Sequence, residues 1–316
     1  MTDSPFDEFS YLPAQAAEAG IDPAPPVRRI SYTLDDGRVV SALQYGDPRS
    51  GDFAAPAVTF FHGAGLNAHT WDTTILGLGL PALALDLPGH GDSSWRPDAN
   101  YAGRVLAADI APALAAWTDG PQVLVGQSLG GLTAAALARA HPDLVRKLVV
   151  VDITPGIDPN GSARQVREFF AGPTHWASYD ELVERALSFG LGGSRAAASR
   201  GVRLNSRVRA DGRVEWKHHF AHIANALAAD PETAAAMAQR QAATAGILSD
   251  AGWEDLAAVR APLTLVRGDQ GYITASERDE FARRLPAARI VEVEARHNVQ
   301  EDIPLPLGRL IADVAA

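Results

Sequence analysis

The residues best placed to do chemistry in this 316-residue chain are a serine and a histidine far apart in sequence. Gly126-Gln127-Ser128-Leu129-Gly130 reads G-x-S-x-G and lies between the apolar run QVLVG (122–126) and an alanine-rich stretch (129–140). On so sharp a strand-to-helix turn the serine backbone is strained, and Gly126 and Gly130 are needed where side chains would collide. The Ser128 hydroxyl is then exposed at a helix N-terminus as a nucleophile. A hydroxyl is a weak nucleophile until a base takes its proton. His297, in VEVEARHNVQEDIP just after the last strand-like run, is placed to be that base. The other histidines have different settings: His62 and His90 flank glycine turns and read as loop-ordering hydrogen-bond formers, and His141 ends a helix before Pro142. His218 and His222 are four apart but lack the carboxylate of a zinc-binding H-E-x-x-H, so no metal site is expected.

The stretch FFHGAGLNAH (60–69) carries two readings. Gly63 to Ala68 fits G-x-G-x-x-A, the turn that lets a helix N-terminus approach a pyrophosphate, with Asp86 where a ribose carboxylate would sit. From His62 the same residues read H-G-x-G, a loop that aims a backbone N–H at a developing oxyanion. A dinucleotide site would need its turn after the first strand of the sheet, whereas a hairpin precedes this one. It would also leave Ser128 and His297 unexplained.

Those residues need a frame to hold them. Short apolar runs of the kind buried on both faces of a parallel sheet recur at 57–61, 82–86, 122–126, 147–152, 263–268 and 289–294. Helix-like stretches at 99–118, 129–140, 275–285 and 304–314 separate or follow them. Before them, residues 27–46 alternate apolar with polar around Asp36-Gly37, a pair that favours tight hairpins. The expected fold class is therefore α/β, a mostly parallel doubly wound sheet opened by an antiparallel hairpin. Residues 156–257 break the alternation, with no strand-like run and eight aromatic residues between Phe169 and Trp253. They read as a mainly helical lid between two halves of a core, 27–155 and 258–316. Residues 1–26 form an acidic, proline-containing arm that either wraps the surface or stays disordered.

Composition narrows the class. Hydrophobic residues make up 47% and charged residues 21%, enough apolar material for a sizeable core. A net charge of −10 gives no electrostatic reason to expect nucleic acid or an anionic membrane surface. No cysteine is present, which excludes disulfides and thiolate chemistry. The start MTDSPFDEF is not a signal peptide, and the longest apolar run (75–85) is too short to span a bilayer, so a cytoplasmic location without membrane insertion is expected.

HGAG (62–65), DLPGHGDS (86–93), GQSLGG (126–131) and RHNVQEDIP (296–304), in this order, resemble the α/β-hydrolase superfamily over most of the chain from residue 28. The phrases RLNSRVRADGRVEW (203–216) and Val151-Asp152-Ile153-Thr154-Pro155 are similar to those of a group of lid-bearing bacterial serine esterases. The resemblance implies an oxyanion hole from the backbone N–H groups of Ala64 and Leu129, on a loop shaped by His62 and Gly63. For the acid, the commoner family pattern points to position 271, but glycine stands there; Asp152, at the end of the strand after the nucleophile helix, is the expected acid, with Asp269 the alternative. A serine nucleophile argues against the aspartate-dependent dehalogenases and epoxide hydrolases of the superfamily. The expected activity is hydrolysis of a small-molecule carboxylic ester through an acyl-serine, with no cofactor. Thioester, lactone and C–C bond hydrolysis use the same triad, and a non-catalytic ligand-binding protein is the rival from another class. Seven basic residues between Arg195 and Lys217, facing only Asp211 and Glu215, read as a solvated face or as an attraction for a carboxylate-bearing substrate.

Overall fold

Val27–Thr33 (β1) and Val39–Tyr45 (β2) pair antiparallel from Val27↔Tyr45 to Thr33↔Val39, folding back at Asp36-Gly37. A computed structural model describes residues 6–155, 168–229 and 251–316 of the chain. Val58–Phe61 (β3), Ala82–Asp86 (β4), Gln122–Gln127 (β5), Val145–Val151 (β6), Leu263–Gln270 (β9) and Arg289–Arg296 (β10) follow, each parallel to its neighbours among them. The sheet order is β1-β2-β4-β3-β5-β6-β9-β10. Every residue of β3, β4 and β5 is buried, which is why these strands read as continuous apolar runs rather than as alternating ones.

Alternate strand residues serve opposite faces. Phe61, Leu85, Leu124 and Leu148 pack with Leu106 and Ile110 of α3 (Gly103–Trp117), Leu137 of α4 (Leu129–Ala140) and Phe281 of the later helix Ala275–Arg284. Phe60, Ala84, Val125 and Val149 pack instead with Ile75 of α2 (Asp72–Leu78) and Leu307 and Ile311 of the final helix Pro304–Ala315. Helix α3 starts later than expected, at Gly103, because a turn at residues 97–98 and Ala99 at φ 49 precede it.

Residues 6–26 lie against this core. In α1 (Leu12–Glu18), Leu12 and Ala16 are buried in the same apolar cluster as Trp71. Glu8 pairs with both Arg29 and His69.

Between β6 and β9 the described residues form α5 (Tyr179–Ser188), α6 (Arg195–Leu204), β7 (Ser206–Val208), β8 (Val214–Trp216) and α7 (Phe220–Ala229). Leu182, Val183, Ala198, Val202 and Trp216 make a small core of their own. The β7–β8 hairpin corrects the expectation that this interval holds no strand. It turns at Asp211-Gly212, where Gly212 has φ 80, the same residue pair that closes β1–β2. With three residues a side it is too short to register as an apolar alternation.

After β9 come α8 (Ala275–Arg284), α9 (Val299–Asp302) and α10 (Pro304–Ala315). Among the described residues no helix is long and apolar enough to cross a membrane.

Candidate active site

Parallel strands present their C-terminal ends on one edge of the sheet, and Ser128, Asp152 and His297 stand immediately after β5, β6 and β10. Ser128 sits at φ 53, ψ −123, outside the regions open to most residues. The turn is sterically closed on both sides. A Cβ at Gly126 would lie 2.3 Å from Gly130 O, and one at Gly130 would lie 2.2 Å from Phe61 O. The turn is held by Ser128 N donating to Val151 O (3.1 Å) and Gly131 N donating to Ser128 O (2.8 Å).

His297 Nδ1 donates to Asp152 Oδ2 at 2.8 Å. Asp152 is wholly buried at φ 47, and its carboxylate also accepts from Gly268 N (3.1 Å) and Tyr272 N (2.8 Å). Charge-assisted bonds from three donors hold this buried anion, and they set its direction toward the imidazole. The proton on Nδ1 makes Nε2 an acceptor, and Gln127 Nε2 donates to it at 3.0 Å. The Ser128 hydroxyl makes no hydrogen bond among the described residues. In an unliganded triad the bond from nucleophile to base commonly tightens only with substrate. The Tyr272 ring stacks on His297, with centroids 3.6 Å apart and planes 8° from parallel. Burial, then the nearby Asp152 charge, push the Tyr272 phenol above its ordinary value, so it stays neutral.

Asp269 is placed elsewhere. It is exposed and accepts from Ala295 N at 3.1 Å, where the β9–β10 register shifts between Val293 and Arg296. Its carboxylate satisfies a donor that this irregularity frees, and among the described residues it makes no hydrogen bond or ion pair with His297.

The loop after β3 faces Ser128. The N–H groups of Ala64 and Leu129 have no acceptor among the described residues. His62 is wholly buried, its Nδ1 donating to Gly63 O (2.7 Å) and its Nε2 accepting from Leu87 N (3.0 Å). Burial lowers the His62 pKa to about 4, so the ring keeps the neutral form that these two bonds require. Gly63 is packed against the Ser128 turn, since a Cβ there would lie 2.1 Å from Gln127 Oε1. The dinucleotide reading of this loop is corrected. The turn follows β3, not the first strand, and Asp86 is spent on Arg29 (2.6 Å) and on Ala68 N (2.8 Å).

A cavity of about 560 Å³ opens onto Ser128 and His297. Phe169, Phe170, Phe189, Leu191, Val202 and Trp216 give it an apolar wall. Of the seven basic residues from Arg195 to Lys217, Arg195 pairs with Glu184, Arg207 and Arg209 with Glu215, and Lys217 with Asp92. Arg203 lies over Phe6 and Tyr179, and Arg213 donates to His175. The surplus is largely spent inside the protein, and Arg200 is the member of the set that lines the cavity. His218 does not share a helix with His222; it precedes α7, wholly buried and stacked on Trp216.

A family model for the alpha/beta hydrolase fold matches residues 56–304. The chain belongs to the α/β-hydrolase family. Esterase Rv0045c of Mycobacterium tuberculosis is 35% identical to the hydrolase over 318 residues, spanning 98% of this chain and 96% of that protein. A solved structure of the M. tuberculosis esterase superposes with a TM-score of 0.78 at 34% identity, covering 98% and 99% of the two chains. The sn-1-specific diacylglycerol lipase ABHD11 of Mus musculus is 29% identical over 266 residues, 80% of this hydrolase and 79% of that lipase. The crystal structure of E-2-(acetamidomethylene)succinate hydrolase, at 23% identity and a TM-score of 0.73 over 92% and 100% of the two chains, shares the fold.

Tyr272, Gln127 and Asn205 enter the site without having been singled out from sequence. For Tyr272 the available signal was position alone, one residue after the glycine that replaces the commoner acid.

Proposed function

We propose that the hydrolase cleaves a carboxylic ester in two steps through an acyl-serine on Ser128. The observation that carries this is the hydrogen bond from His297 Nδ1 to the buried Asp152, which leaves Nε2 as a base beside the strained serine turn. His297 takes the Ser128 proton as Oγ attacks the ester carbonyl, and the oxyanion is received by the N–H groups of Ala64 and Leu129. Each such donor contributes on the order of 3 kcal/mol to the transition state. The proton passes to the departing alcohol. In the second step His297 takes a proton from water, whose oxygen attacks the acyl carbon, and the proton returns to Ser128.

Residues 156–257 act as the lid of this site. Phe170 is held against the loop, where a Cβ at Gly65 would lie 2.5 Å from its ring, and Asn205 Nδ2 donates to Gly65 O at 2.7 Å. The substrate is a small molecule whose acyl or alcohol part lies on the aromatic wall. An esterase as relative over nearly the whole chain supports an ester as the bond cleaved.

The test is labelling by a fluorophosphonate, with Ser128→Ala as control, beside a panel of p-nitrophenyl esters, thioesters, lactones and diketones. Labelling that needs Ser128, together with ester turnover above the other classes, is expected. A folded protein that takes no label would overturn the mechanism.

A further inference from the structure

The two chemical steps leave the residue before Ser128 without a role. Gln127 is the last residue of β5, paired with Val151 of β6, and it is 1% exposed. Its Nε2 donates to His297 Nε2 at 3.0 Å and lies 3.3 Å from both His297 O and Asn298 Oδ1. Three acceptors on one side fix the orientation of the amide, because a carbonyl oxygen turned that way would face them with no hydrogen between. The other end of the amide is lodged against the loop after β3. A Cβ at Gly63 would lie 2.1 Å from Gln127 Oε1, so only glycine there leaves room for this side chain.

A neutral imidazole whose Nδ1 proton is held by Asp152 has one ring lone pair to offer, on Nε2. Gln127 occupies it, and the Ser128 hydroxyl makes no hydrogen bond among the described residues. Ser128 can pass its proton to Nε2 only after the amide has let go. Release costs little, because the amide has two hydrogens and three acceptors: once Nε2 turns to Ser128, one hydrogen is left for His297 O and the other for Asn298 Oδ1. The bond to Nε2 is therefore made by the resting site and not kept in the transition state, and a contact of that kind slows the chemical step.

We propose that Gln127 is a positioning residue that holds His297 in an idle state, with Nε2 withheld from Ser128 until the acyl donor is attacked. The proposal rests on the ester-hydrolase reading. It makes the residue adjacent to the serine in sequence the competitor for the serine's base, so that Ser128 is not activated in the empty cavity.

Gln127→Met keeps the length of the side chain and removes the donor. The rate constant for labelling by a small fluorophosphonate and kcat for p-nitrophenyl acetate should both rise roughly fivefold, with KM changed less than about twofold. Gln127→Leu, which also lacks a donor, should give the same rise and guards against an effect of packing peculiar to methionine. A second readout does not depend on turnover. In Ser128→Ala protein carrying isotopically labelled histidine, the His297 Nε2 resonance, assigned by its absence from His297→Gln, should shift by several ppm when Gln127→Met is added, as an acceptor nitrogen does when it loses its donor. Unchanged or lower rates in both folded variants, or a resonance that stays in place, would overturn the idle state. Failure of the ester-hydrolase reading shows differently, as a folded wild type that takes no label and turns over no ester.

Discussion

A Cβ at Gly271 would lie 2.3 Å from each carboxylate oxygen of Asp152. The space that an acid on the β9 side would fill is thus occupied by an acid arriving from β6. The missing aspartate at 271 and the buried one at 152 are one fact, because two carboxylates cannot share that volume. Asp152 reaches it through a left-handed backbone at φ 47, and the N–H groups of Gly268 and Tyr272 turn inward to meet it.

Asp152→Asn should therefore lower kcat by about 10⁴, since the amide no longer enforces the Nδ1–H tautomer of His297. Asp269→Asn should stay near wild type in kcat, with at most a small loss of stability from the Ala295 N–H it satisfies. Gly271→Asp alone should fold poorly. Combined with Asp152→Gly, which clears the space and relieves the positive φ, it should recover a measurable part of kcat over Asp152→Gly alone. Steady-state kinetics on the five purified variants decide this; a near-wild-type kcat for Asp152→Asn would move the acid elsewhere.

Tyr272 should act through its ring. Stacked 3.6 Å from His297, it restricts the imidazole to the orientation that its bond to Asp152 requires. Tyr272→Phe keeps the stack and should leave kcat within about twofold, whereas Tyr272→Ala should lower kcat roughly tenfold with little change in KM. Equal losses in both variants would assign the effect to the hydroxyl instead.

What could be read in advance divides by range. Ser128, with its two glycines, and the buried strands are local patterns, each complete within a few residues, and the structure places them where the spacing put them. The choice between Asp152 and Asp269 was not local. It depends on β6 lying beside β9 and on a contact that joins residues 145 apart in sequence. Gln127 meets His297 across 170 residues, and no periodicity signals such a meeting. The hairpin at 206–216 was missed although Asp211-Gly212 marks its turn, because strands of three residues carry too few alternations. The acidic start resisted reading for a different reason. Its fate turns on Leu12 and Ala16 finding an apolar surface that other segments supply.

The attachment of that start should depend on pH. Burial opposes a charge on His69, but the carboxylates of Asp72 and Glu8 at its two nitrogens outweigh it and raise the pKa from 6.5 to about 9. A raised histidine value contributes stability that is complete below the unfolded value, near 6.5, and is lost as pH rises through about 9. For Glu8 burial again opposes the charge, yet His69 and Arg29 hold its carboxyl far below the ordinary 4.5, so its contribution is present above that value and fades in acid. Thermal unfolding of wild type and His69→Gln should differ most between about pH 5 and 7 and converge by about pH 10. A gap that persists unchanged at alkaline pH would mean that packing, not the ion pairs, holds the segment.

The last expectation concerns how the inserted segment reaches the chemistry. Two asparagines exchange bonds across the cavity rim: Asn205 Nδ2 donates to Gly65 O at 2.7 Å, and Asn67 Nδ2 donates to Leu204 O at 3.0 Å. Both side chains are buried, at 9% and 5% exposure, so each bond is shielded from competing water. Gly65 follows Ala64, and its carbonyl orientation is coupled through the chain to the N–H proposed to meet the oxyanion. Loss of the Asn205 bond therefore frees the loop in the step where charge develops and has less effect when substrate merely binds. Asn205→Ala should lower kcat roughly tenfold and weaken a trifluoromethyl ketone or boronic acid inhibitor by a similar factor, with KM changed less than about twofold. Asn67→Ala should do the same more mildly, and because the two bonds brace one loop, the double variant should lose less than the product of the single effects. If Asn205→Ala raised KM while kcat and inhibitor affinity held, the bond would serve only to close the cavity around the substrate, and the link from α6 to the oxyanion loop would be refuted.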